Sequence, residues 1–236
     1  MLSTCIIIPT LRERNNLLKL TPVVFQHVPQ AALLIVDDDS RDGTRELIDN
    51  FQKQHQNLHL LERHDKRGYG YAIIAGLAWA HTRGFDKVVT MDADFSHDPK
   101  EIPAMLDKLY QHDVVIGSRY VPGGGIERWS IHRRLLSWFA QRYVRFILGT
   151  HFHDSTTGFV GYSKKAIVYL LAHGPKSEGY SFLLECKHIL QRAGHTIAEH
   201  PIIYTGRREE QSKMSWKNIW ESIWLPWRLR FDRLKR

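Results

Sequence analysis

Residues Lys87–Pro99, K-V-V-T-M-D-A-D-F-S-H-D-P, end a short β-branched run with two carboxylates one residue apart, Asp92 and Asp94. Strand side chains alternate with a period of two, so the pair is expected to point to one side at the strand's end. Two carboxylates converging there repel unless a positive charge lies between them. A hard divalent cation that takes oxygen ligands, Mg²⁺ or Mn²⁺, would do this. An acidic turn before Asp98-Pro99 is the plainer alternative, and D-x-D alone does not decide. A second acidic group, Asp37-Asp38-Asp39, closes the apolar run Ala31–Val36. Asp42 or Ser40 is expected to cap a helix beginning near Thr44, which leaves the first two aspartates unexplained. Arg63–Gly70, R-H-D-K-R-G-Y-G, runs basic residues and a G-x-G into a helix over 71–82, which suits an anion or an ordinary turn equally.

The elements that must position these groups follow from periodicity. Strand-like runs at 4–8, 31–36, 58–61, 87–91 and 113–117 alternate with helical patterns over 13–27, from about 44, over 71–82 and over 99–110. That alternation predicts an α/β fold with a parallel, doubly wound sheet, whose ligand site lies at the carboxyl ends of its strands. After Gly117 the pattern changes. Ser118-Arg119-Tyr120 leads through Gly123-Gly124-Gly125, read as a flexible loop, into a helix over 131–148. There Arg133 and Ser137 lie four residues apart on one face. Arg134, Arg142 and Arg145 accompany Trp138, Phe139, Phe146 and Ile147, so the helix either solvates one face or meets phosphates and apolar chains together. His151–Asp154 reads as a polar loop rather than a metal cluster. A loop into a strand over 154–162, a helix over 180–193 near Glu178 and Glu185, a last strand over 197–204 and a charged loop with Arg207, Arg208 and Lys213 follow.

The carboxyl-terminal segment from Trp216 to Arg236 differs in character. Trp216, Ile219, Trp220, Ile223, Trp224 and Trp227 fall at helical spacing, and Pro226 is expected to kink or end that helix. Arg228, Arg230, Arg233, Lys235 and Arg236 follow. Tryptophan on one face with arginine alongside predicts an interfacial helix on anionic lipid, with docking on the protein's own core or a dimer contact as alternatives. The 33 Lys+Arg against 25 Asp+Glu give a net charge of +8, which calls for an anionic partner. Nucleic acid is disfavoured, because the aromatics gather with the basic residues on a helical face and no recognition motif occurs. Cys5 and Cys186 are the only cysteines, which excludes a disulfide framework and fits a reducing compartment. Met1 leads into a strand-like run without a signal-peptide pattern, and no stretch approaches the roughly 18 apolar residues of a membrane span. A cytoplasmic protein, peripheral on the cytoplasmic face of a membrane, is expected.

Taken together, Pro9-Thr10 with Glu13, V-D-D-D-S-R-D-G-T at 36–44, Lys66 with Gly68, Gly70 and Ala72, M-D-A-D-F-S-H-D-P at 91–99, and G-S-R-Y at 117–120 carry a resemblance. Arg133 with Ser137, T-G-F at 157–159, E-G-Y-S-F at 178–182, Pro201-Ile202 and Arg207 with Ser212-Lys213-Met214 extend it. The sequence resembles the GT-A-fold glycosyltransferases of family two, and within them the dolichol-phosphate (polyprenyl-phosphate) mannose synthases. The resemblance implies a Rossmann-like, mostly parallel sheet flanked by helices in a catalytic domain over 1–214, followed by the Trp/Arg-rich amphipathic segment 215–236. It implies inverting transfer of mannose from GDP-mannose to a dolichyl or polyprenyl phosphate with Mg²⁺ or Mn²⁺. Pro9, Leu11, Glu13, Val36, Asp38, Lys66, Asp92, Ala93, Arg119, Arg207 and Lys213 would form the nucleotide-sugar site. Asp92, Asp94 and Ser96 would hold the metal, and Arg119, Arg133 and Ser137 the acceptor phosphate, with Asp94, Arg119 and Arg133 as the catalytic set. The chain departs from the family pattern at Leu11-Arg12, at Val160 and at Glu209-Glu210. Another nucleotide sugar, UDP-glucose or a UDP-N-acetylhexosamine, with a lipid-phosphate or non-lipid acceptor is the first alternative. A non-catalytic membrane- or partner-binding domain is the second. Without the membrane spans of many relatives, the protein is expected to sit on the membrane through its tryptophan helix or to rely on a membrane-anchoring subunit.

Overall fold

The apolar run at the amino end is buried on both faces because helices cover both faces of the sheet it enters. A computed structural model describes residues 3–175, 177, 180–206 and 216–231, with the side chains of 180 and 216–222 excepted. Strand β1 (Thr4–Thr10) sends Ile6 and Ile8 towards helix α1 (Arg14–His27), where Leu17 and Leu20 meet them. Cys5 and Ile7 point the other way, to the second layer. Strand β2 (Ala32–Asp37), helix α2 (Thr44–Gln52), strand β3 (Leu58–Glu62), helix α3 (Tyr69–Thr82) and strand β4 (Lys87–Thr90) continue the alternation. A Cβ on Gly76 of α3 would stand 2.8 Å from Ile7 and 3.2 Å from Val36, so glycine lets this helix lie close on the sheet.

Beyond β4, a 3-10 turn (Pro99–Glu101) and helix α4 (Ile102–Lys108) occupy the segment expected as one helix. Strand β5 (Val114–Ser118) is followed by the short strand β6 (Gly125–Glu127), helix α5 (Ile131–Leu148), strand β7 (Val160–Ser163), helix α6 (Lys164–His173) and helix α7 (Tyr180–Arg192). Strands β8 (Ile197–Pro201) and β9 (Ile203–Thr205) and helix α8 (Trp216–Phe231) complete the order. The seven-stranded sheet runs β3-β2-β1-β4-β7-β5-β8, and β6 pairs with β9 in a separate ribbon. The sheet is mostly parallel, as expected, with one correction: β7 is antiparallel to both β4 and β5. Its reversed direction brings the loop before Val160 to the carboxyl edge of its neighbours. The single strand expected over 197–204 is two, because the chain changes sheets at Ile202: its N–H donates to Ser118 of β5, while its carbonyl accepts from the Gly125 N–H of β6. The segment Gly123–Gly125, expected as a loop, supplies the first residue of β6.

Pro226 does not end α8, which continues through it to Phe231. Leu225 and Leu229 are buried on this helix, and that packing outweighs the hydrogen bond proline cannot make. The boundary between 214 and 215 lies outside the described residues. His188 of α7 is buried, and burial, joined by Arg192, pulls its pKa down to about 4 against the backbone contact at Leu229. A histidine kept neutral contributes stability above its unfolded pKa near 6.5, and that stability is lost as pH falls towards 4. Urea unfolding at pH 7 and pH 4.5 should therefore show His188→Gln losing about 1–2 kcal/mol less than the natural chain over that interval.

Candidate functional site

Strand order reverses between β1 and β4, and an open α/β sheet binds its ligand in the crevice at such a point. The loop after β4 is where the acidic pair sits. β4 stops at Thr90, so strand alternation does not aim Asp92 and Asp94; hydrogen bonds do. The Asp92 N–H donates to His97 Nδ1 at 3.1 Å, and the Tyr69 hydroxyl donates to Asp92 Oδ1 at 3.2 Å. The Ser96 N–H donates to Asp94 Oδ1 at 3.0 Å. Phe95 takes a left-handed φ of 61° between them. His97 is buried and stacks on Phe159 with centroids 5.0 Å apart. Burial pushes its pKa down, while Asp92 and then Asp94 pull it up, so both carboxylates act on one ring. The imidazole is neutral, with Nδ1 as acceptor.

Ser96 Oγ is buried and has no hydrogen-bond partner among the described residues. Two carboxylates and an orphaned hydroxyl at a strand end suit a small, hard cation that completes its shell with phosphate oxygens and water. Among the described residues no three His, Cys, Asp or Glu groups form a ready-made cage. Gly158 closes the other side. A Cβ there would fall onto the Tyr69 hydroxyl and 3.1 Å from Asp92 Oδ1.

The neighbouring loops after β1 and β2 are braced to each other. Ser40 Oγ accepts from the Arg12 N–H at 2.6 Å, and Arg12 and Asp39 both hold left-handed φ values, 60° and 58°. Of the two capping candidates, Asp42 binds the Thr44 N–H and hydroxyl, with Gly43 at the cap position, while Ser40 serves the β1 loop instead. Asp38 is buried and accepts from Arg63 and from the Gly68 N–H at 2.8 Å. Its carboxylate thus ties down the loop that carries Lys66. Asp37 is buried as well, and burial raises its pKa despite the Ser40 hydrogen bonds. Pro9 stands beside Val36 in register. Val36 is wholly buried in the core, so it lies beneath this edge and does not line it. Leu11 is half exposed, Ala93 is buried, and Glu13 accepts from Asn16 Nδ2 at 2.6 Å. The Lys66 ammonium lies 5.8 Å from the Tyr71 ring centre. Arg12, Asp39, Arg41 and Arg67 line an open pocket beside these residues.

Arg119, at the end of β5, is buried and gripped by Asp154. Its Nε donates to Asp154 Oδ2 at 2.7 Å and its Nη2 to Oδ1 at 2.8 Å and to Thr156 Oγ1 at 2.8 Å. Burial raises the Asp154 pKa, but Arg119 and then Lys187 outweigh it and hold the carboxylate below its usual range. His151–Asp154 is a polar loop, as expected, and within it Asp154 is the counter-ion of Arg119. Asp154 lies 35 residues from Arg119 in sequence, so no local pattern marks the pair. Arg133 is exposed at the start of α5, its guanidinium 4.1 Å from the Trp129 ring centre, with that of Arg119 5.9 Å from the same ring. Ser137 shares a 2.6 Å hydrogen bond with the Tyr120 hydroxyl. The fold thus brings Arg119, Arg133 and Ser137 around Trp129 and Tyr120, beside the acidic loop. Trp129 and Lys187 carried no signal that singled them out, while His97 and Asp154 lay in stretches the sequence marked without showing their roles. Glu185 is buried and accepts from the Ser177 N–H at 2.8 Å. Arg207, Lys213 and Glu178 lie outside the described residues.

Residues 5–170 match the glycosyl transferase family 2. The chain belongs to that family. It is 39% identical over 222 residues to the polyprenol monophosphomannose synthase of Mycolicibacterium smegmatis, covering 93% of this chain and 84% of that one. It is 36% identical to the undecaprenyl-phosphate mannosyltransferase of Micrococcus luteus, covering 92% and 89%. It is 33% identical to the dolichol-phosphate mannosyltransferase of Saccharomyces cerevisiae, covering 91% and 82%. Among solved structures, glucosyl-3-phosphoglycerate synthase from Mycobacterium tuberculosis, in complex with Mn²⁺, UDP-glucose and phosphoglyceric acid, superposes with a TM-score of 0.68 at 17% identity. That match covers 95% of this chain and 79% of that one, and it establishes a GT-A-like fold. The protein is a glycosyltransferase, which sets aside the non-catalytic alternative. Because Gly158 leaves no room for a methyl group, Gly158→Ala should lower glycosyl transfer by about 10–100-fold with little change in melting temperature. Initial rates and a thermal melt check this.

Proposed function

We propose that the protein transfers mannose from GDP-mannose to a polyprenyl phosphate, using Mg²⁺ or Mn²⁺, as a peripheral protein on the cytoplasmic face of a membrane. The observation that carries the reading is the similarity over nine-tenths of the chain to three enzymes named for mannosyl transfer to polyprenol-type phosphates. The site's chemistry supports it. Departure of a sugar from a nucleoside diphosphate builds negative charge on the leaving group. Asp92, Asp94 and Ser96 Oγ would hold a cation whose chemistry is to offset that charge. Arg133, exposed at the start of α5, would hold the acceptor phosphate, while Arg119 supports it from the interior. The Tyr120–Ser137 hydrogen bond keeps α5 against the end of β5. An acceptor phosphate is anionic near neutral pH, so its oxygen attacks the anomeric carbon without a dedicated base. The bond to the diphosphate breaks on the opposite face, and configuration inverts. Glu185, buried on the Ser177 N–H, has no part in this step.

Exposed apolar groups argue for the membrane surface. Among the described residues, α5 carries six of the fifteen large exposed hydrophobics and α8 four. The two helices join where Trp227 Nε1 donates to the Tyr143 hydroxyl at 2.9 Å, and that hydroxyl donates to the Ile223 carbonyl at 2.8 Å. Trp224, Trp227 and Phe231 face away from the buried Leu225 and Leu229, with Arg142 stacked over Trp138 on the neighbouring helix. No described helix is long and apolar enough to cross a membrane, so an in-plane contact with anionic lipid fits this face. Both cysteines are free and buried, in keeping with a reducing compartment.

A donor screen with GDP-mannose, UDP-glucose and UDP-N-acetylglucosamine against polyprenyl phosphate tests the substrate reading; a rate with GDP-mannose no higher than with the others would refute it. Asp94→Ala should lower the cation-dependent rate by about 10²–10³-fold with the fold intact by circular dichroism. Trp224→Ala/Trp227→Ala should weaken co-sedimentation with phosphatidylserine-containing vesicles by about tenfold. Undiminished co-sedimentation would remove the membrane assignment.

A further inference from the structure

Helix α7 carries a lysine whose ammonium is fully enclosed. Lys187 Nζ donates to the carbonyls of Ser155 at 3.0 Å and Thr157 at 2.8 Å. A buried ammonium is costly unless hydrogen-bonded and paired, and here the nearby carboxylate is already engaged. Asp154 receives two Arg119 side-chain N–H groups and the backbone N–H groups of Arg119, Thr156 and Thr157. Lys187 therefore adds a second positive charge behind the loop. Burial pulls its pKa down to about 8 against the pull of Asp154, which leaves it charged at neutral pH.

The carbonyls that Lys187 holds lead directly to the acidic loop. Thr157 precedes Gly158, whose Cα lies against Tyr69 and Asp92. The Gly158 carbonyl in turn accepts from Thr90 Oγ1 at 2.8 Å, at the end of β4. We propose that Lys187 is a positioning residue of the transfer reaction: its buried ammonium fixes the Ser155–Thr157 carbonyls and thereby holds Gly158 and Asp92 in the geometry that takes the divalent cation. The inference rests on the cation reading given above.

A staple that serves the fold alone would change melting temperature and yield but leave the cation affinity of folded molecules untouched. The test uses the full chain as natural protein, Lys187→Met, Lys187→Gln and Lys187→Arg, with Mn²⁺ binding in the presence of GDP measured by the electron paramagnetic resonance of free Mn²⁺. Folded Lys187→Met is expected to bind Mn²⁺ about tenfold more weakly, as loss of an outer-shell partner does, and Lys187→Arg to recover most of that loss. In steady-state assays, kcat should fall while the KM for polyprenyl phosphate stays within about twofold. Lys187→Gln keeps one amide donor and should fall between the other two. Mn²⁺ affinity of Lys187→Met within about twofold of the natural protein would overturn the proposal. Failure of all three variants to fold would reduce Lys187 to a requirement of the fold and overturn it equally. Natural protein that binds no Mn²⁺ with GDP would instead sink the functional reading itself, and the inference with it.

Discussion

The carboxylate of Asp154 is the point on which the Arg119 side of the crevice depends. It is fully buried, yet it serves the end of β5 through Arg119 and its own loop through the N–H groups of Thr156 and Thr157. Gln141 of α5 grips the same loop, accepting from the Ser155 N–H at 2.9 Å and its hydroxyl at 2.7 Å. Glu199 of β8 accepts from the N–H groups of His153 and Asp154. Elements far apart in sequence are thus fixed by one short polar segment. Removing charges from water is expensive, and an apolar core of the same volume is often at least as stable. What the polar network supplies is a single arrangement, since each member is satisfied only when the others stand in place.

The fold was legible in the sequence because parallel strands and their crossover helices are written in local pattern. β1 to β5 and α5 follow from β-branched runs and helical spacing. What local pattern misses is direction and pairing. Val160–Ser163 reads as a strand, but nothing in four residues says that it runs antiparallel between β4 and β5. The acidic loop was found for a reason that does not hold: strand alternation was expected to aim Asp92 and Asp94, and His97, Tyr69 and the left-handed Phe95 do so instead. The site's hidden residues share a cause. Asp154 and Lys187 act through partners on other elements, and His97 turns back on Asp92 within its own loop, so an isolated sequence shows each only as a polar residue without its partner.

Backbone conformation marks the same edge independently. The four non-glycine residues with positive φ among the described residues are Arg12, Asp39, Phe95 and Arg128. The first two follow β1 and β2, the third lies in the acidic loop, and the fourth precedes Trp129. Left-handed backbone is disfavoured for Arg12, Phe95 and Arg128, less so for the short Asp39, and it persists where surrounding contacts over-determine it. Ser40 holding the Arg12 N–H and Arg67 bound to Asp39 are such contacts. Strain and polar bracing therefore coincide along the crevice at the strand ends, while the strands beneath are regular.

Helix α5 connects that crevice to the proposed lipid surface. Its amino-terminal turns carry Arg133 and, one turn on, Ser137, while Leu136 and Phe139 stand exposed on the same stretch. A phosphate joined to a long apolar chain has the same two characters in the same order, an anion followed by hydrocarbon. One helix can therefore meet both parts of a polyprenyl phosphate if one of its faces is anchored to the protein and the other is left bare. Gln141, Val144 and Ile147 are buried on one face, which the Ser137–Tyr120 hydrogen bond continues towards its start, while Phe146 on the later turns stays exposed. That division explains why a helix of eighteen residues leaves so much apolar surface unpacked: packing it into the core would stabilise the protein and remove the path by which its proposed acceptor arrives.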